Sequence, residues 1–297
     1  MLCKKPYMLG VLPCGCGQCL PCRINRRRLW THRMMLESVK HVSSSFVTLT
    51  YNDATLPSGL TLVPKDLQDW LKRLRRELSP QQIRYYAVGE YGDESGRPHY
   101  HAAIFGLDPI IGGGSDGRGG IVQSTWGKGY TFTGDLSAQS ASYICGYVTK
   151  KMTKKDDPRL KGRFPEFARM SNGGRLKTGG IGASAMVDVA LSLEKNDQTC
   201  NYMLMNADVP FVLNHGRKTM PLGRYLRSIL RENLGYGRKG TEESLQRFAA
   251  KMRLMFEDER YAAKIEKRPE KNIVDMHMGK ILSLEARYKI FNKRGEL

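Results

Sequence analysis

His99 and His101 flank a single tyrosine in the run Arg97-Pro98-His99-Tyr100-His101-Ala102-Ala103-Ile104-Phe105-Gly106. Side chains alternate faces along a β-strand, so both imidazoles point one way, while Tyr100, Ala102 and Ile104 point the other and can fill a core. Two imidazoles side by side make half of a divalent-metal site. Further along stands Tyr143-Ile144-Cys145-Gly146-Tyr147-Val148-Thr149-Lys150, with helix-like spacing. Tyr143 and Tyr147 are four apart and share a helix face, and Lys150 follows on the same side. Histidines on a strand and tyrosines on a helix are equipment for phosphodiester cleavage by a tyrosine nucleophile.

An isolated His-x-His pair is a weak signal, and a strand histidine is more often a hydrogen-bonded or exposed side chain than a ligand. Its surroundings strengthen it. The segment Gln82-Ile83-Arg84-Tyr85-Tyr86-Ala87-Val88-Gly89-Glu90-Tyr91 reads as a strand, and Gly92-Asp93-Glu94-Ser95-Gly96 as a hairpin turn. An antiparallel hairpin brings Glu90 near His99 and His101. Two imidazoles and a carboxylate, with positions open to water and phosphate, suit Mg²⁺ or Mn²⁺. The plainer reading of Glu90 is an exposed strand carboxylate.

These blocks resemble the HUH endonucleases that start rolling-circle replication and, more narrowly, the replication initiators of the gokushovirus-like microviruses, small single-stranded DNA phages. Phe46-Val47-Thr48-Leu49-Thr50-Tyr51-Asn52-Asp53 resembles the family's first strand motif. Gly89 through Asp93 with Arg97 through His101 resembles the metal motif, and Tyr143 through Lys151 the nucleophile motif. The likeness is densest over residues 1–155; beyond, Phe167–Ser171 and Met220–Tyr225 resemble family segments. As an ordered set these motifs are specific; singly they are not. The resemblance implies a site-specific single-stranded DNA endonuclease and ligase in which both tyrosines alternate as nucleophiles. One departure is Gly146, where the family usually has a lysine or other polar residue before the second tyrosine, so Tyr147 is favoured as the initiating nucleophile. For Tyr143 the competing reading is packing of the helix on the sheet.

The chemistry can also be argued from the residues. A free tyrosine has a pKa near ~10 and is a poor nucleophile at neutral pH. It needs a polarised phosphate and nearby positive charge, from a divalent ion and from Lys150. Attack leaves a 5′-phosphotyrosine bond and a free 3′-hydroxyl. The covalent link conserves the phosphodiester's energy for rejoining, and the 3′-hydroxyl can prime a polymerase. No Walker A motif is present, so helicase and polymerase are expected from the host.

The chain has 297 residues, 48 Lys and Arg against 29 Asp and Glu, and a net charge of +19. Such charge fits a phosphate backbone, single-stranded and origin DNA above all. An apolar share of 40% permits a real core. No apolar run approaches the ~20 residues needed to span a bilayer, and the start Met1-Leu2-Cys3-Lys4-Lys5-Pro6 lacks a signal peptide's apolar stretch. The expectation is therefore cytoplasmic residence, in the bacterial host if the chain is phage-encoded, with no membrane partner and no small-molecule cofactor.

Five of the seven cysteines, Cys3, Cys14, Cys16, Cys19 and Cys22, stand in the first 22 residues. In a reducing compartment such clustering favours metal over disulfides. Cys16, Cys19 and Cys22 supply three thiolates, with Cys3, or alternatively Cys14, as a fourth for structural Zn²⁺. Unmetallated thiols or an iron–sulfur cluster are the other readings. The resemblance includes this cysteine-rich start. Next come Arg23, Arg26, Arg27 and Arg28, read with Lys151 as phosphate contacts, and Trp30, read as core.

The expected fold is α+β, a central antiparallel sheet with helices on one face, HUH endonuclease-like, with a cysteine-rich metal knuckle before it and a mostly helical region after it. The segments are a basic, cysteine-rich 1–30, a nuclease core over 31–155, a basic Gly-containing surface segment over 156–218 and a helical region over 219–297. Strands are expected at 46–52, 82–107 (a hairpin) and 129–133, with a helix at 65–78. Asp135 or Ser137 caps the tyrosine helix. The Gly-rich stretch 112–120 reads as a linker or substrate loop. Two other classes remain: a non-catalytic, metal-stabilised nucleic-acid-binding protein, and a relaxase or transposase with the same chemistry.

Overall fold

Residues 84–91 and 98–105 bury nearly every side chain, on both faces of the strands they form. A sheet built on such strands must be covered on both sides. The computed structural model describes residues 2–114, 120–150, 156–173 and 179–294, with backbone only for 147–150 and 291–294. In chain order these form β1 (Tyr7–Leu9), β2 (Leu12–Cys14), α1 (Leu20–Ser38), β3 (Ser44–Thr50), α2 (Pro64–Glu77), β4 (Arg84–Tyr91), β5 (Pro98–Phe105), α3 (Pro109–Gly112), α4 (Ile121–Trp126), β6 (Thr131–Asp135), α5 (Ala138–Lys150) and β7 (Phe167–Met170). There follow α6 (Met186–Glu194), α7 (Asp197–Asn206), β8 (Val212–His215), β9 (Lys218–Pro221), α8 (Gly223–Asn233), α9 (Glu242–Ile265), α10 (Ile273–Met276) and α11 (Met278–Arg294). Two compact units result, one from Arg27–Met186 and one from Met1–Arg26 with Val187–Leu297.

The first unit is an α+β fold on a five-stranded sheet of order β6-β3-β5-β4-β7, in which neighbouring strands run antiparallel. One face packs Val47, Leu49, Tyr100, Ala102 and Ile104 against Leu67, Trp70, Leu71 and Leu74 of α2 and Val122 and Trp126 of α4. The other packs Tyr86, Val88, Ala103 and Phe105 against Met34 of α1 and Ala141, Ile144 and Cys145 of α5. The expectation of helices on one face is thus corrected: α2 and α4 cover one side, α1 and α5 the other. Ala103 and Phe105 carry the second core, and alternation places them on the histidines' face. Trp30 is core as expected, its ring 5.0 Å from that of Tyr86.

Residues 155–182 are also more than a surface segment. Phe167–Met170 adds the fifth strand beside β4, and Leu160 and Ile181 are fully buried. Four residues of mixed polarity carry too little periodicity to announce an edge strand. In the Gly-rich stretch, α3 and α4 flank residues 115–119, which lie outside the described set. Helix α5 starts as expected: Ser137 Oγ accepts from the Ser140 N–H at 3.1 Å, and the Ser137 N–H donates to Ser140 Oγ at 2.8 Å.

The second unit is mostly helical, with hairpins β1–β2 and β8–β9. Its buried Asp208 receives Arg227 and Arg231, each at 2.6 Å, and the Ser244 hydroxyl at 3.1 Å, joining α8 to the start of α9. Burial would raise the Asp208 carboxyl, but the two guanidiniums hold it below the usual carboxylate range. No described helix is long and apolar enough to cross a membrane.

Candidate active site

Antiparallel pairing sets Glu90 of β4 directly opposite His99 of β5, and His101 directly opposite Thr48 of β3. Glu90 Oε1 lies 2.7 Å from His99 Nε2 and 3.1 Å from His101 Nε2. One ligand atom from each of the three residues falls within 4.8 Å of the others. Glu90 and His101 are buried, and His99 keeps partial access to solvent. Glu90 is therefore not the exposed strand carboxylate of the plainer reading. Tyr100, between the histidines, is fully buried on the opposite face, its hydroxyl donating to the Val63 carbonyl at 3.0 Å.

Hydrogen bonding behind the imidazoles fixes their roles. His99 Nδ1 lies 3.2 Å from the Arg97 carbonyl, which only accepts, so Nδ1 carries the proton and donates. Nε2 then presents a lone pair to a carboxylate oxygen at 2.7 Å, and two acceptors that close require a proton or a cation between them. In the metal-free chain the proton answers: burial would lower the His99 pKa, but the Glu90 carboxylate raises it. Burial pushes the His101 pKa down despite the same carboxylate, because His101 is the more enclosed and one carboxylate cannot offset the desolvation of both imidazoliums. His101 Nδ1 is 2.9 Å from Thr48 Oγ1. Glu90 Oε2 is buried with no hydrogen-bond partner among the described residues. Two Nε2 atoms, one carboxylate and a spare buried oxygen fit a divalent cation with open positions.

Tyr143 of α5 stands beside this cluster. Its ring centroid is 5.2 Å from that of His101 and 6.1 Å from that of Phe46, and the side chain is half exposed. Phe46 in turn stacks on His101 at 5.6 Å. The side chains of Tyr147 and Lys150, and the whole of Lys151, lie outside the described residues; the backbone of α5 runs through Tyr147 and Lys150. Phe46 and Thr48 are site residues that sequence reasoning misses. Both alternate with Val47 on the histidines' face of β3, but that becomes visible only once β3 is known to pair with β5.

Arg27 is accounted for differently from the expected phosphate contact: its Nε donates to the Ser142 carbonyl at 2.9 Å and to Ser142 Oγ at 3.0 Å, tying α1 to α5. Its guanidinium carbon lies 3.6 Å from where a Cβ on Gly146 would stand. That packing is a structural setting for the glycine at which the motif departs from the family pattern. Arg28 is exposed, and Arg23 and Arg26 are half-buried.

In the other unit, Cys3, Cys16, Cys19 and Cys22 bring their sulfurs within 4.8 Å of one another. Cys14 stays outside, paired with Tyr7 in the β1–β2 hairpin. The Cys3 and Cys19 sulfurs are 3.7 Å apart, close to the roughly 3.8 Å edge of a tetrahedron with 2.3 Å metal–sulfur bonds. Backbone N–H groups of Cys19 and Gln18 point at the Cys16 sulfur at 3.3 and 3.4 Å and draw its pKa down to about 6, favouring thiolate. Burial pushes Cys22 up to about 12. Away from the cluster, Cys145 is a buried core residue, as expected.

Residues 44–152 match the model of a family of phage proteins described as replication-associated protein ORF2. That span contains Glu90, both histidines and both tyrosines. Replication-associated protein ORF2 of Spiroplasma virus 4 is 35% identical over 179 residues, covering 54% of this chain and 55% of that protein. Replication-associated protein VP4 of Bdellovibrio phage phiMH2K is 32% identical over 158 residues, 48% of this chain and 50% of that protein. Replication-associated protein ORF4 of Chlamydia phage 1 is 29% identical over 154 residues, covering 47% and 38%. The chain is a homologue of these microvirus replication-associated proteins, and the stretches it shares with them span about half their length or less. No solved structure matches it.

Proposed function

We propose that this homologue of phage replication-associated proteins is an HUH-type, metal-dependent DNA nicking-joining enzyme that initiates rolling-circle replication. The observation that carries the reading is the Glu90–His99–His101 cluster with the Tyr143 ring beside it. The two Nε2 atoms and the Glu90 carboxylate would hold Mg²⁺ or Mn²⁺. Bound there, the ion supplies Lewis acidity and offsets charge building on the scissile phosphate. His99 and His101 keep their Nδ1 protons turned away, toward the Arg97 carbonyl and Thr48, leaving Nε2 free to ligate.

The nucleophile is a phenol of α5, Tyr147 or Tyr143. It loses its proton, its oxygen bonds to phosphorus, and the bond from phosphorus to the 3′-oxygen breaks. That oxygen takes up a proton and leaves as a 3′-hydroxyl. Lys150 stabilises the phenolate or the phosphate. Attack by a 3′-hydroxyl on the phosphotyrosine reverses the balance and rejoins the strand. Single-stranded origin DNA is the substrate, and host helicase and polymerase extend the freed end. The cluster of Cys3, Cys16, Cys19 and Cys22 holds structural Zn²⁺, with its sulfur spacing as support; bound zinc lost in Cys16→Ser but kept in Cys14→Ser is the expected result.

The test is incubation with origin-bearing single-stranded DNA and Mn²⁺, followed by a search for an SDS-stable adduct. Wild type gives one and His99→Ala does not. Loss in Tyr147→Phe names Tyr147 as the first nucleophile; loss only in Tyr143→Phe reverses that order. No adduct with any divalent metal, alongside intact DNA binding, replaces this reading with a metal-stabilised binding protein.

A further inference from the structure

Tyr130 is 75% exposed although its backbone is among the most tightly held in the first unit. The Thr50 N–H and the Thr50 hydroxyl both donate to the Tyr130 carbonyl, at 2.9 and 3.0 Å. At Gly129 the chain runs so close to β3 that a Cβ would stand 2.3 Å from the Thr50 carbonyl oxygen. A large ring is thus presented to solvent from a fixed base. Phe132, two residues on, is 39% exposed and lies opposite Thr48, on the histidines' face. Alternation puts Tyr130 on that face too.

The edge on which these rings stand is not open to an added strand. The Thr133 N–H donates to the Gly114 carbonyl at 3.0 Å, and the Gly129 carbonyl accepts from the Gln123 side chain at 3.0 Å. What the edge offers is ring faces. It stands two strand spacings, about 10 Å, from β5 and its histidines, in a chain with net charge +19. Exposed rings on a cationic protein beside a phosphate-handling site suit unpaired nucleobases, whose stacking tolerates any sequence.

We infer that Tyr130 and Phe132 form a stacking platform for the unpaired bases next to the phosphate at the Glu90–His99–His101 cluster. The inference deepens the function proposed above and rests on it for where the phosphate sits. The test is binding of the full chain to fluorescein-labelled oligothymidylate in EDTA, where no cleavage can intervene. Tyr130→Ala, which removes no core contact, should weaken binding roughly tenfold, and Tyr130→Phe should restore it. Phe132→Leu keeps an apolar contact with Phe46 and should weaken binding in the same direction. An oligomer of abasic sugars of equal length should bind wild type and Tyr130→Ala equally.

Unchanged oligothymidylate affinity in Tyr130→Ala overturns the platform, as does an equal loss on the abasic oligomer. A wild-type dimer dispersed by Tyr130→Ala with unchanged DNA affinity overturns it in favour of a protein partner. The adduct assay separates the two readings: an adduct with no stacking effect removes the platform alone, whereas stacking with no adduct removes the nicking reading alone.

Discussion

At the scale of single residues, the imidazoles reach Glu90 with their Nε2 atoms because something holds them from behind. For His99 this is a backbone carbonyl, which no substitution removes. For His101 it is the Thr48 hydroxyl at 2.9 Å. Partners of this kind set a ligand's tautomer and ring angle, and losing one costs about 10- to 100-fold in metal affinity. Thr48→Val keeps the shape and β-branching of the side chain and deletes only the acceptor. It should weaken Mn²⁺ binding by about that factor, measured by calorimetry, while Thr48→Ser stays near wild type. Equal affinity in Thr48→Val would show that Phe46, stacked on His101, suffices to orient the ring. The pairing of Glu90 with the histidines is legible in the sequence, since a short turn between two strand-like runs dictates it. Thr48 is not, because its neighbour His101 is 53 positions away and reached only through the β3–β5 pairing.

At the scale of elements, the sheet's second cover depends on a buried charge. Glu37 near the end of α1 is fully enclosed. Its carboxylate lies 3.1 Å from the Arg84 guanidinium of β4 and 3.2 Å from the His41 ring, and accepts the Gly182 N–H at 2.6 Å. Burial would raise its pKa, but these donors together hold it below the ordinary 4.5. A carboxyl depressed in the folded state contributes stability above the unfolded value that is lost as pH falls through the folded one. Wild type should therefore weaken below about pH 4.5, and Glu37→Gln should lack that part of the acid limb. At neutral pH the variant leaves Arg84 short of its counter-charge and should lose about 3 kcal/mol. Thermal melts across pH measure both effects. The sequence shows α1 as a basic helix and hides this role. Helical periodicity reports which side of a helix is apolar, whereas a buried ion pair between residues far apart in the chain depends on the sheet's order. The same limit hides β7, while α2, with Leu67, Trp70, Leu71 and Leu74 on one stripe, is legible.

For the whole molecule, a net charge of +19 says that phosphate is the partner but not which cations touch it. In the run after the cysteines, sequence alone treats Arg23, Arg26, Arg27 and Arg28 as equivalent. The structure divides them, since Arg28 is exposed while Arg27 is spent on Ser142 of the tyrosine helix. Counterion release turns that division into a measurement: each phosphate contact on single-stranded DNA adds about 0.7 to the slope of log affinity against log salt. Arg28→Ala should lower the slope by about that amount and leave the melting temperature unchanged. Arg27→Ala should leave the slope near wild type and destabilise the fold by about 2 kcal/mol, through the hydrogen bonds it loses to α5. Because α5 carries Tyr143 against His101, Arg27→Ala should also slow adduct formation at saturating DNA. A lowered slope with normal melting in Arg27→Ala would return that residue to the DNA-binding set and leave the seating of α5 to its apolar contacts with the sheet.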